Sequence, residues 1–241
     1  MNKIFDKLKQ ARLPYVITNS HASYQYHRWL LPVANILELR IRPEDLDFWQ
    51  QFFHAEVVYV SETPPPSEMM KRLDLAVVLA KNLTNPIYDH KRTIAGLHYE
   101  SPEDLCLDFL EAAVTETTLM EALALLLVQR QTLRWEYFCE RVTEMNHSLE
   151  AGILLEIINE HTHQSLMPSA ITGLLFEHAN RHEELKSEYF PFTWRVKQAL
   201  RQHRENDLAI TYAQTSRKWG HKVVLPRYLM DKLVLDLNHV L

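Results

Sequence analysis

Tyr99-Glu-Ser-Pro-Glu-Asp-Leu-Cys-Leu-Asp-Phe-Leu110 is where the chain changes period. Ser101-Pro102-Glu103 reads as a helix start. Proline fits a first turn without losing a needed N–H, and the acids behind it face the positive end of the helix dipole. From there Leu105, Phe109 and Ala112 keep helical spacing, as do Leu119, Leu123, Leu126 and Leu127. Further helices are predicted over 133–145, 147–160, 168–182, 191–204, 207–219 and 226–239. Only the short Lys222-Val-Val-Leu225 suits a strand there.

Upstream of Tyr99 the chain alternates. A short helix over 2–11 ends before Pro14, and Tyr15-Val-Ile-Thr18 follows as a strand. Ser20 caps a helix running to about Leu31. Asn35 to Ile41 reads as a second strand, Pro43 to Phe53 as a helix, and Glu56-Val-Val-Tyr-Val60 as a third strand. Thr63-Pro-Pro-Pro-Ser67 is a polyproline-like loop. Leu75 to Leu79 and Thr93 to Tyr99 complete the strands. The expected fold class is α+β: a small mixed α/β domain over 1–100, then an all-helical domain over 101–241.

Only four of the 241 residues are glycine, where average usage near 7% would give about 17. Gly96, Gly152, Gly173 and Gly220 stand too far apart for a P-loop, a dinucleotide fingerprint or a nucleophile elbow. The longest apolar runs, Ala76–Ala80 and Ala122–Val128, fall short of the ~20 residues that span a bilayer. The N-terminal segment has no signal-peptide core. Cys106 and Cys139 sit among leucines and aromatics, as reduced thiols do. A cytoplasmic protein without membrane contact is expected.

Charge is segregated. Residues 93–160 hold 13 acidic and 3 basic side chains, whereas 191–232 hold 9 basic and 3 acidic. Such asymmetry marks interaction surfaces. The acidic face is placed on Glu103, Asp104, Asp108, Glu111, Glu116 and Glu121, and the basic one on Arg195, Arg201, Arg204, Arg217, Lys218, Lys222 and Arg227. Gly220 suits a helix C-terminus and Pro226 a helix start, so a helix-turn-helix touching phosphates is the nucleic-acid reading of this end. Its connection exceeds the usual three or four residues.

Catalytic patterns are thin. Asp45-Leu-Asp47 is an Asp-x-Asp pair, which with Glu38 could hold Mg²⁺ for nucleotidyl transfer. It follows Pro43 at a helix start, however, where i and i+2 diverge by ~200°. His178 and His182 share a helix face as in H-E-x-x-H, but Ala179 stands where the zincin glutamate would be. His161-Thr-His163 is too close to be informative. No serine sits in a recognisable elbow, and neither cysteine lies beside a basic cluster. No catalytic residue, cofactor or metal is expected.

Tyr15-Val-Ile-Thr-Asn-Ser-His-Ala22, the short strands after it, the Ser-Pro-Glu helix start ending Leu107-Asp108-Phe109, and the helical run from Glu121 resemble the AbiEi-type antitoxins of bacterial abortive-infection (type IV toxin–antitoxin) systems. The resemblance covers roughly residues 13–160. It implies a phage-defence protein whose partner is a nucleotidyltransferase-like toxin. Family members usually carry an N-terminal winged helix for operator binding; here only a dozen residues precede the first strand, so promoter autoregulation is not expected. The expected function is therefore a non-catalytic interaction protein that binds a partner protein through charged helical surfaces. A divergent nucleotidyltransferase-like enzyme and a DNA-binding regulator are the alternatives.

Overall fold

The computed structural model describes residues 2–27, 37–53, 57–59, 78–111, 116–182, 189–190 and 209–227, with 230, 231 and 233. The chain is α+β and divides into two compact units, Met1–Ser101 and Pro102–Leu241.

The first unit is built on a mixed six-stranded sheet in the order β3-β4-β2-β1-β6-β5. Its strands are β1 (Tyr15–Ile17), β2 (Leu37–Ile41), β3 (Val57–Tyr59), β4 (Val78–Asn82), β5 (Arg92–Ile94) and β6 (Leu97–Tyr99). β1 runs antiparallel to β2 and parallel to β6, while β4 runs parallel to both β2 and β3. Leu37, Leu39 and Ile41 point to the buried face of β2, and Glu38 and Arg40 to the other, as period-2 pleating dictates. The helices are α1 (Asn2–Leu8), α2 (Asn19–Tyr26), α3 (Leu46–Phe53) and α4 (Asn85–His90). A 3₁₀ turn over Pro43–Asp45 leads into α3, whose Trp49 is fully buried against Tyr15, Phe52 and Phe53.

Two strand expectations shift. The fourth strand continues past Leu79 to Asn82, because its register with β2 pairs Leu37 with Val78 and Ile41 with Asn82; residues 75–77 of the predicted strand lie outside the described residues. The single strand expected over 93–99 is a hairpin, with Ile94 opposite Leu97 across Ala95-Gly96. Both turn residues have positive φ, 51° and 78°, the geometry of the type I′ turn that matches strand twist. The proline loop Thr63–Ser67 lies outside the described residues, as do Leu31 and the predicted helix 191–204.

The second unit contains α5 (Pro102–Glu111), α6 (Glu116–Gln129), α7 (Trp135–Glu144), α8 (Ser148–Thr162), α9 (Ser169–His182) and α10 (Ala213–Trp219). Ala122 through Leu127 of α6 are buried on every side, so α6 forms the centre of this unit. The unit is not all-helical, which corrects that expectation. Strands β7 (Tyr189–Phe190), β8 (Ala209–Thr211) and β9 (Lys222–Pro226) form a sheet in the order β7-β9-β8. β9 lies at its centre, with Val223, Val224 and Leu225 buried, and β8 replaces the first turn of the helix predicted over 207–219. Among the described residues no helix is long and apolar enough to cross a membrane.

Candidate functional site

The acidic residues at the start of α5 face inward. Glu103 is 0% exposed and Asp104 2%. A buried carboxylate needs partners, and α7 with Arg134 at its N-cap supplies them. The Arg134 backbone N–H donates to Glu103 Oε1 at 2.6 Å and its Nε at 3.4 Å. The Tyr137 hydroxyl lies 2.9 and 2.8 Å from the two Asp104 oxygens, and Arg141 Nε donates to Oδ1 at 3.1 Å. Burial first, and the Asp104 charge second, push the Tyr137 hydroxyl far above the ordinary tyrosine range. This hydroxyl therefore stays protonated and donates.

The expectation that Glu103, Asp104 and Glu121 face a partner is thus corrected. Glu121 on α6 is also 0% exposed, and the three clamp or fill the interior. Of the remaining acids, Asp108 is half-buried and Glu111 exposed, while Glu116 lies in α6 with its side chain outside the described residues. A different set reaches solvent. Glu136, Glu140 and Glu144 are exposed at i, i+4 and i+8 along α7, a single row on a 3.6-residue helix. Glu144 Oε2 accepts from Arg141 Nη1 at 2.7 Å.

The basic end is only partly described, since Arg195, Arg201 and Arg204 lie outside the described residues. Arg217 and Lys218 are exposed on α10, Arg227 is exposed beyond β9, and Lys222 is half-buried on β9. Lys218 donates to Glu156 and lies 5.9 Å above the Phe176 ring. Gly220 ends α10 with φ of 70°. The chain then enters β9, a strand bonded on both sides, so the helix-turn-helix geometry is absent between Ala213 and Pro226. Glu160 at the end of α8 instead fastens α10, accepting from the N–H groups of Gln214 and Thr215 at 3.1 and 2.8 Å. Beside it the Tyr212 hydroxyl lies 3.1 Å from His161 Nδ1.

In the first unit the sheet brings together charges the sequence had not grouped. Glu100, just past β6, is fully buried; Thr18 Oγ1 donates to it, and Arg40 Nε does so at 2.6 Å. The Tyr26 hydroxyl donates to the Glu100 carbonyl at 2.5 Å. Next to them Glu38 accepts from Asn19 Nδ2 at 2.8 Å and has Lys81 Nζ at 3.8 Å. The one legible sign was the alternation of Leu37-Glu-Leu-Arg-Ile41, which sends Glu38 and Arg40 to one face.

This arrangement does not assemble a nucleotidyl-transfer site. Glu38 stands near the start of β2, whereas Asp45 and Asp47 follow its far end, about three residues and roughly 10 Å along the strand. Among the described residues no group of three or more His, Cys, Asp or Glu side chains could hold a metal ion. Burial raises both thiols, Cys139 to about 11, so neither is a thiolate at neutral pH. No family model, no curated protein and no solved structure matches the chain.

Proposed function

We propose that the protein is a non-catalytic interaction protein of the antitoxin or phage-defence kind, working in the cytoplasm and binding a basic partner protein through α7. The observation that carries this reading is the exposed row Glu136, Glu140 and Glu144, in an acidic segment where Glu103, Asp104 and Glu121 are turned inward. Like charges at i, i+4 cost an isolated helix about 0.2–0.5 kcal/mol per pair, and Arg141 offsets this only at Glu144, so Glu136 and Glu140 work against the helix's own stability. A basic surface docked along it relieves that repulsion. The sequence resemblance to AbiEi-type antitoxins supplies the candidate partner, a nucleotidyltransferase-like toxin.

The test is co-purification of the full chain with a nucleotidyltransferase-like protein encoded beside it, at low and high salt. Association that weakens with salt and is lost in the triple variant Glu136→Lys, Glu140→Lys, Glu144→Lys supports the reading. Association that survives the charge reversal, or none at low salt, refutes it.

A further inference from the structure

His178 and His182 stand on one face of α9, with ring centroids 4.6 Å apart and planes tilted by 40°. Two imidazoles bound to one zinc ion at about 2.0–2.1 Å, with an angle of about 90–110° at the metal, place their centroids roughly 4.5–5.2 Å apart. The observed spacing falls inside that interval. A second feature points the same way. Ser148 Oγ, in the first turn of α8, lies 2.9 Å from His178 Nδ1. Metal-ligating histidines are held in this manner, one ring nitrogen fixed by an outer partner while the other ligates.

We propose that His178 and His182 form a two-imidazole site for a divalent first-row transition metal of the zinc or copper class, with Ser148 orienting the first ring. In this arrangement Ser148 accepts the Nδ1 proton and ligation falls to His178 Nε2. His182, exposed on the helix surface, supplies the second nitrogen. Among the described residues no third His, Cys, Asp or Glu joins the pair, which leaves the other coordination positions to water. The site is thus open, unlike the closed four-ligand sites that hold folds together. Nitrogen ligands select copper above nickel and zinc, and do not retain Mg²⁺.

The experiment is calorimetric titration of the full chain with Zn²⁺, Ni²⁺, Cu²⁺ and Mg²⁺ chlorides, each alone, at pH 7.5 and again at pH 5.5. The expected result is one binding event per chain for the first three and none for Mg²⁺. Binding is lost in His182→Ala, and Ser148→Ala weakens it by about 10–100-fold, as removal of an outer-shell partner does. Acidification releases the metal, because only neutral imidazole ligates. Alanine at an exposed helix position preserves the fold, which thermal unfolding of the apo variant checks. Less than tenfold loss in both His182→Ala and His178→Ala places the metal on other side chains and overturns the proposal. So does an absence of binding in the unmodified chain.

Discussion

Gly152 lies inside α8, where an ordinary glycine-to-alanine change would stabilise a helix by about 1 kcal/mol. Here the sign reverses. A Cβ at this position would fall 2.1 Å from Trp219 Cη2, 2.4 Å from Cζ2 and 3.2 Å from Cζ3. The indole is 5% exposed, ends α10 and has Phe176 edge-on with centroids 5.1 Å apart. It therefore has no open direction in which to retreat. Overpacking of a filled core costs about 1–3 kcal/mol, and contacts this short belong at the top of that range. Subtracting the helix-propensity gain leaves Gly152→Ala destabilised by about 2 kcal/mol, a fall in Tm of about 4–8 °C at 2–4 °C per kcal/mol.

Urea unfolding followed by far-ultraviolet circular dichroism reads this directly, and two companions make it decisive. Gly173 lies in α9 with nothing within 4 Å of the added carbon, so Gly173→Ala raises stability by up to about 1 kcal/mol. In a Trp219→Leu background the clash disappears, so Gly152→Ala becomes neutral or stabilising there. The double-mutant coupling is then about 2–3 kcal/mol. A Gly152→Ala protein as stable as the parent, or one equally destabilised with and without Trp219, refutes the reasoning.

Three further outcomes are set by the geometry. Ala95 holds φ of 51° in the β5–β6 turn, where Asn-Gly is preferred, so Ala95→Asn raises stability by about 0.5–1 kcal/mol in urea titration; a lower midpoint contradicts the turn assignment. Asp104→Ala leaves Arg141 and the Tyr137 hydroxyl without their carboxylate and costs about 3–5 kcal/mol, while Asp104→Asn costs less by keeping an acceptor; equal midpoints for the two would show that the carboxylate is dispensable. Burial lowers the pKa of His21, of His98 (with Lys91 adding to the effect) and of His161, so the unfolded chain binds more protons than the folded one below about pH 6.5. Their contribution is present above that pH and lost as the pH falls; a urea midpoint unchanged between pH 7.5 and 5.5 would oppose this.

The features legible in the sequence were local. The Pro102 helix start, the strand at Tyr15 and the helix behind Pro43 all rest on caps, proline geometry and period, which act within a few residues. Strand pairing was hidden. Thr93 to Tyr99 alternates well enough for one strand, and only the backbone reversal at Ala95-Gly96 makes it two. A positive-φ alanine carries no sequence signal, since alanine is not a turn residue by propensity. Ala209-Ile-Thr211 is too short to outweigh the helical spacing around it, and becomes a strand because β9 offers it a ladder.

The charges show the same divide more sharply. A segment with 13 acids and 3 bases looks like one acidic surface when charges are only counted. On a helical wheel Arg134, Tyr137 and Arg141 fall within about 60° of each other, a donor face that the spacing alone could have revealed. That face turns to α5 and engages Glu103 and Asp104, because two carboxylates inside a core must find cations or lose their charge. Glu136 and Glu140 are rotated from that face by roughly 60° or more and stay in water, while Glu144 lies at its edge, exposed and bonded to Arg141. Two of the block's three basic side chains are thus turned to buried partners. Which acids α7 leaves in water is therefore set by helix rotation and by which arginines are already engaged, and not by the net charge of the segment.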